Sequence, residues 1–288
     1  MPDALRLIEK LSVFAFLVGS MLGMGLGLTP RAILVPLRNL RLVLLALGLN
    51  FIVAPAFAWL LTIVIPLDRR HAIGLLLLGG AAGAPFLPKL VETARGDLSL
   101  AVALMALLTA GTIVFMPLAL PRMIPGLQAD PWSIARPLVL FIVLPLVAGM
   151  SVNACAASLA SRAAPICTKI GNGSLLLLFI LLVVLNFDAL LGVIGSGAIA
   201  AAVLYVTGLF AVGWLLGGSN PRERGVLGLA TAARNFGAAL VPAASSFSDP
   251  KVTVMLIVCA IVGLIASFLV AGWVRRRIPE RNLQAIPE

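Results

Sequence analysis

Inside the run GVLGLATAARNFGAALVPAA, Gly225–Ala244, stand Thr231, Arg234, Asn235, Gly237 and Pro242, in a stretch otherwise long and apolar enough to cross a bilayer. A guanidinium at the middle of such a stretch costs roughly 2.5–3.5 kcal/mol to insert, so it is expected to face a protein interior or a watery path. Its chemistry is that of a fixed cation with donors in a rigid fork, suited to a carboxylate or a sulfate ester. Thr231 lies three residues before Arg234 and four before Asn235, so on a continuous helix the three converge on one ligand. Interhelical hydrogen bonding is an equally ordinary use of Thr and Asn, and snorkelling to an interface is the bland reading of the Arg.

The elements that must position these groups are membrane helices. With 61% hydrophobic and 11% charged residues in 288, and a mean hydropathy of +1.13, a soluble fold would carry more apolar surface than it could bury. Apolar runs of membrane length recur at Leu11–Leu28, Leu40–Ile65, His71–Val91, Leu98–Leu120, Ser133–Val152, Ile170–Phe187, Leu190–Gly217, Gly225–Ala244 and Val252–Trp273. The chain therefore reads as one all-α polytopic membrane domain of about nine transmembrane helices over 1–288, with 274–288 as a tail. Aromatic residues are too few, and alternating strands too scarce, for a membrane barrel. The N-terminus reads as a first anchor, not a cleaved signal.

The net charge of +10 does not point to nucleic acid, because the charges sit in short loops between spans. With the C-terminus inside, thirteen Lys and Arg fall on the cytoplasmic side and seven outside, with Arg234 in the membrane. The expected topology is N-terminus outside and C-terminus cytoplasmic, in a bacterial inner membrane. Arg69 and Arg70, on the outer side, fit this rule poorly.

Two segments share a plan. Leu75–Leu108 and Val226–Ile261 each hold a Gly/Pro-interrupted span, a short turn with an Asp (Asp97, Asp249) and an uninterrupted apolar span. They begin five spans apart, which inverts one against the other. Inverted repeats with a broken helix at matching positions point to the midplane site of a secondary transporter. Gly79, Gly80, Gly83, Pro85 and Pro88 are the expected breakers of the first, Gly237 and Pro242 of the second. Backbone N–H groups freed around Gly83, Ala84, Pro85 and Phe86 would help hold an anion, since lipid cannot satisfy them.

Other functions find little support. One His, few intramembrane acids and no nucleophile–base or metal motif argue against an enzyme. Cys155, Cys167 and Cys259 have neither metal spacing nor an even count and read as apolar filler. His71 reads as a solvated loop residue, Asn186 and Asp188 as a cap, and Glu92 and Asp97 as local partners of Arg95 or caps. A channel or a transporter-like sensor stays open, because broken helices also line pores.

The segments MLGMGLGLTP (Met21–Pro30), LGLNFIVAPAFAWLL (Leu47–Leu61), GGAAGAPFLPKLVETARGDLSLAV (Gly79–Val102), FIVLPLVAGM (Phe141–Met150) and TAARNFGAALV (Thr231–Val241) together resemble the bile acid:sodium symporter family. The resemblance implies two inverted five-helix repeats whose broken helices cross, a panel domain and a core domain, and alternating access between them. It implies a panel of 11–28, 133–152 and 170–187 and a core of 40–120 and 190–273. Relative to ten-helix members, the first helix has no counterpart in this pattern.

The family's sodium chemistry does not carry over. Setting Asn235 and Gly237 on the family's Asn and Gly puts Ala230 at the Glu that bridges two sodium ions and Arg234 at a Gln. Further ion ligands fall on Gly83, Ala84, Ala101 and Met105, and only Asn50 keeps a ligand-like side chain. Sodium needs several hard oxygens, usually with a carboxylate. The expectation is a transporter of small organic anions with no cofactor and with sodium coupling in doubt. The alternative is a sodium-coupled symporter with its ions bound elsewhere.

Overall fold

The computed structural model describes residues 2–29, 31, 34–124, 130–247 and 249–278, and helix is the regular structure throughout them. Eight segments are long and apolar enough to cross a membrane: α1 (Pro2–Gly27), α2 (Leu40–Val64), α5 (Leu98–Met123), α6 (Pro131–Cys155), α7 (Ala157–Leu185), α9 (Ala198–Leu216), the pair α10 (Pro221–Ala232) and α11 (Phe236–Ser246), and α12 (Pro250–Arg277). The remaining expected span, His71–Val91, is two shorter helices, α3 (Arg69–Gly80) and α4 (Leu87–Thr93), joined by a non-helical stretch at 81–86. A short α8 (Phe187–Leu191) precedes α9.

Several boundaries differ from the apolar runs. α7 starts at Ala157, not near Ile170, because Arg162 and Lys169 interrupt the apolar run yet stand exposed on an unbroken helix. Residues 190–197 leave the seventh span and form the end of α8 and a turn closed by Gly195 and Gly197, both at positive φ. The expected tail begins later than 274, since α12 continues to Arg277; most of 274–288 lies outside the described residues.

Both units of the repeat open their elements alike. Asp68 caps α3 by accepting from Arg70 N, and Asn220 caps α10 by accepting from Arg222 N. Asp97 and Asp249 do the same for α5 and α12. Such caps satisfy N–H groups that a helix start leaves unpaired. Arg70 also pairs with Asp249 at 2.6 Å and Lys251 with Asp68 at 3.2 Å, tying the start of α3 to that of α12. Arg70, which fitted the charge rule poorly, is thus neutralised locally. The same approach corrects the reading of His71: it is not a solvated loop residue but lies in the first turns of α3 and is 3% exposed. Gly74, one turn on, brings α3 so close to α12 that a Cβ there would lie 2.6 Å from Val252 O.

Helix α1 packs most extensively against α7 and α6, by way of small residues. A Cβ at Gly19 would lie 3.1 Å from Gly171 N, and one at Gly149 would lie 2.6 Å from Leu22 O. Small residues are the usual means of close helix association in lipid, where hydrophobic burial gives no net drive. The other helices gather round the two breaks, with α9 on α10 and α12, α3 on α2, α5 and α12, and α4 on α5. The groups meet where the start of α6 packs on α5 and α11, and where α11 begins: Phe236 lies 5.8 Å from Phe179 of α7, and Gly237 abuts Phe16 and Leu17 of α1.

Candidate functional site

The two breaks cross and hold each other. In the second, residues 233–235 are non-helical, and Asn235 N donates to Ala81 O of the first at 3.0 Å. Its side chain works in both directions: Nδ2 donates to Gly83 O at 3.0 Å, while Oδ1 accepts from Ala238 N and so caps α11. The second helix is thus divided at Ala233–Asn235 and not by the residues expected to do it. Gly237 and Pro242 lie within α11, where Pro242 simply omits one intrahelical bond. In the first unit Gly79 and Gly80 are the last residues of α3, and Pro88 sits in the first turn of α4, where its missing N–H costs nothing.

Arg234 is 5% exposed and turns into the first break. Its Nε donates to Leu78 O at 3.2 Å, Nη2 to Gly79 O at 2.6 Å and Nη1 to Asn50 Oδ1 at 2.7 Å. The guanidinium therefore caps the carboxyl end of α3, where Leu78 O also accepts from Ala81 N and the last carbonyls carry partial negative charge. Asn50 is aimed from α2 by a π turn at Leu49–Val53. Pro55 can give no N–H to the carbonyl four residues back, and the wider turn absorbs the defect. The Asn50 amide is oriented by its own backbone, Nδ2 donating to Ala46 O at 2.9 Å. The position that the resemblance gives to an ion ligand thus accepts from a side chain of the protein.

Thr231 does not join this group. Its hydroxyl donates to Leu227 O at 2.7 Å within α10 and lies against Gly213 of α9. The shared helical face expected for Thr231 and Asn235 does not exist, because the helix ends between them. Ala84 is buried, its carbonyl accepting from Leu87 N at 3.0 Å, while Pro85 and Phe86 make the turn into α4 and are half-buried.

Two residues that the sequence reading passed over hold the first break. Thr112 Oγ1 accepts from Ala82 N at 2.8 Å and lies 3.1 Å from Ala82 O, and Thr109 Oγ1 lies 3.0 Å from Gly83 O. Their signal was two hydroxyls three apart in a largely apolar helix, Thr109 standing one turn beyond Met105 and two beyond Ala101. Gly83 has φ +78°, a left-handed conformation, and a Cβ there would run into Thr109 N and Oγ1. Gly83→Ala is expected to cost roughly 3 kcal/mol or more through strain and overpacking, read as a lower unfolding temperature of the purified protein.

Charge is lopsided at this crossing. The buried polar residues among those described are Ser12, Asn50, His71, Thr109, Thr112, Thr231, Arg234, Asn235 and Ser267, with no Asp or Glu. The recorded ion pairs lie at helix ends, among Asp68, Arg70, Asp249 and Lys251 and between Lys89 and Glu92. Arg234 is thus a whole positive charge held by neutral oxygens.

The family model described as the sodium bile acid symporter family matches residues 14–193, from α1 through the turn after α8. The chain belongs to the sodium bile acid symporter family. The matched stretch holds the first break, with Asn50, Gly79 and Gly83; the break that carries Arg234 lies after it. Over 266 residues the chain is 23% identical to the probable sodium/metabolite cotransporter BASS1, chloroplastic, of Arabidopsis thaliana, which covers 91% of this chain. The chain spans 66% of that protein's length. Membership in this symporter family agrees with an integral membrane protein whose two breaks cross in the midst of helices.

Proposed function

We propose that this protein is a secondary transporter of small organic anions that works by alternating access without sodium, Arg234 standing as a built-in cation where family members bind their coupling ions. The observation that carries the reading is the guanidinium's hold on Leu78 O, Gly79 O and Asn50 Oδ1. These are oxygens at a helix terminus and on an amide, the ligands a sodium ion would otherwise seek. Charge supports the same conclusion. Where the family's Glu bridges two sodium ions the site nets one positive charge; Ala230 and Arg234 give one positive charge as well. The preference for a monovalent anion is kept while the ions are dispensed with.

The α1, α6 and α7 group acts as the panel and the remaining helices as the core. The substrate path follows the seam between them, where Phe236 and Gly237 begin α11. Arg234 acts on the anion chiefly through its field, since three of its N–H groups are occupied by the protein. Asn235 keeps the crossing rigid, and Thr231 packs α10 against α9. The cytoplasmic side holds the C-terminus.

Uptake of labelled organic anions into proteoliposomes, with and without an inward sodium gradient, tests this. The expected result is saturable uptake at the same rate in both. Uptake that rises with sodium would favour the second reading, suggested by the Arabidopsis relative's name, of a symporter whose ions bind elsewhere. Unsaturable flux would indicate a channel.

A further inference from the structure

We propose that the end of the bundle where α9, α10 and α12 meet is a binding site for an anionic phospholipid, its phosphodiester headgroup held by Arg224 and Arg277 and an acyl chain laid in the groove between α9 and α12. Three guanidiniums from three helices gather round the end of α9. Arg224 of α10 donates from Nε to Trp214 O at 2.9 Å and lies over the Trp214 ring, 4.7 Å from its centroid. Arg277, the last residue of α12, lies 4.0 Å over the ring of Trp273, and the two tryptophans meet edge to face with centroids 5.1 Å apart. Arg41, in the first turn of α2, lies 3.7 Å from where a Cβ on Gly218 would stand.

Stability of the fold does not ask for this arrangement. Against the three positive charges stand about half a negative charge from the carboxyl end of α9 and Glu223, next to Arg224 in sequence. Arg41 stands at the amino end of its own helix, where a cation is disfavoured. An interfacial anchor calls for Trp and Arg at headgroup depth, and the exposed Arg275 and Arg276 already supply the charge. Stacking holds a guanidinium by its face and leaves its N–H edge, whose fork matches two phosphate oxygens. Among the described residues no acceptor is recorded for the Nη groups of Arg224 or for the guanidinium of Arg277.

Beside these charges Phe210, Leu269, Val270 and Trp273 line an open groove of about 350 Å³. Leu269, Trp273 and Arg277 follow at four-residue steps, so one face of α12 leads from apolar wall to cation. Leu269 is 70% exposed, on the outer side of the bundle. An anion carrying an acyl chain meets both halves of the site, whereas a soluble anion meets only the charges. A choline or ethanolamine headgroup would bring its own cation against the arginines, so the preference is for a lipid of net negative charge.

The test uses the purified full chain carrying Trp59→Phe and Trp132→Phe, so that fluorescence reports Trp214 and Trp273 alone, in neutral detergent micelles. Phosphatidylglycerol or phosphatidylcholine with brominated acyl chains is titrated in, bromine quenching the tryptophan it touches. The expected result is half-maximal quenching at a roughly fivefold lower mole fraction of phosphatidylglycerol, a preference that Arg277→Gln removes and Arg276→Gln keeps. Both arginines are exposed, so the fold is spared. Millimolar inorganic phosphate at constant ionic strength is expected to leave the curve in place. Equal curves for the two lipids would overturn the site. So would an equal effect of the two Arg variants, which would mean diffuse attraction by a basic rim, and so would displacement of the lipid by inorganic phosphate, which would mean a soluble-anion site.

Discussion

Arg234→Gln is expected to abolish anion uptake and to destabilise the purified protein by about 2–4 kcal/mol, the cost of leaving buried acceptors without their donors. The substitution strands Gly79 O and Asn50 Oδ1, which now accept from the guanidinium, and takes from Leu78 O one of two donors, Ala81 N remaining at 3.0 Å. Orphaned buried acceptors cost about 1–3 kcal/mol apiece. A Gln amide is shorter and re-forms one such bond at most, so the carboxyl end of α3 loosens from the second break. Arg234→Lys separates charge from geometry: it keeps the positive charge but presents its donors from one point instead of a fork. It should retain measurable uptake while losing part of the stability. Uptake rates and unfolding temperatures of the three proteins decide the matter, and near-native uptake by the Gln variant would show that the charge has no part in transport.

Asn50→Asp should lower anion uptake by more than tenfold while leaving the protein folded. The change is nearly isosteric and preserves the acceptor that lies 2.7 Å from Arg234 Nη1, now as half of an ion pair. What is lost structurally is one donor, Nδ2 to Ala46 O. What changes electrically is the whole site, from one positive charge to none. At an effective dielectric of about 20, a unit charge roughly 8 Å away is worth about 2 kcal/mol to an anion, which is more than tenfold in affinity. Uptake measured beside the unfolding temperature distinguishes this from misfolding. A folded Asn50→Asp protein that transports at the native rate would mean that the anion does not feel Arg234.

Much of this architecture is written in the chain's apolar runs. Length alone locates the spans, since a helix must be membrane-long to satisfy its backbone in lipid. The matching Asp97 and Asp249 mark equivalent turns, and an isolated Arg in an apolar run marks the crossing. What lies between is less legible, because a break is decided by what meets it. Residues 233–235 leave the helix because Asn235 finds Ala81 O, Gly83 O and Ala238 N, two of them 150 or so residues away in sequence. Gly237 and Pro242, the stronger local breakers, stay helical. Helical spacing likewise grouped Thr231 with Asn235, a relation valid only on an unbroken helix. Thr109 and Thr112 gave only a weak local signal, for a hydroxyl in a membrane helix commonly bonds its own backbone. The burial of His71 follows from the close approach of α3 to α12 at Gly74, a tertiary contact that a hydrophilic neighbourhood of Arg69 and Arg70 conceals.

The most direct test of Arg234 as a resident cation is equilibrium binding of radioactive sodium to the purified wild-type protein, with choline replacing unlabelled sodium as the control for ionic strength. The expected result is no saturable sodium binding, with or without a transported anion present. Saturable binding of one or two sodium ions per protein, strengthened by the anion, would contradict it and place the coupling ions beside Arg234 rather than in its stead.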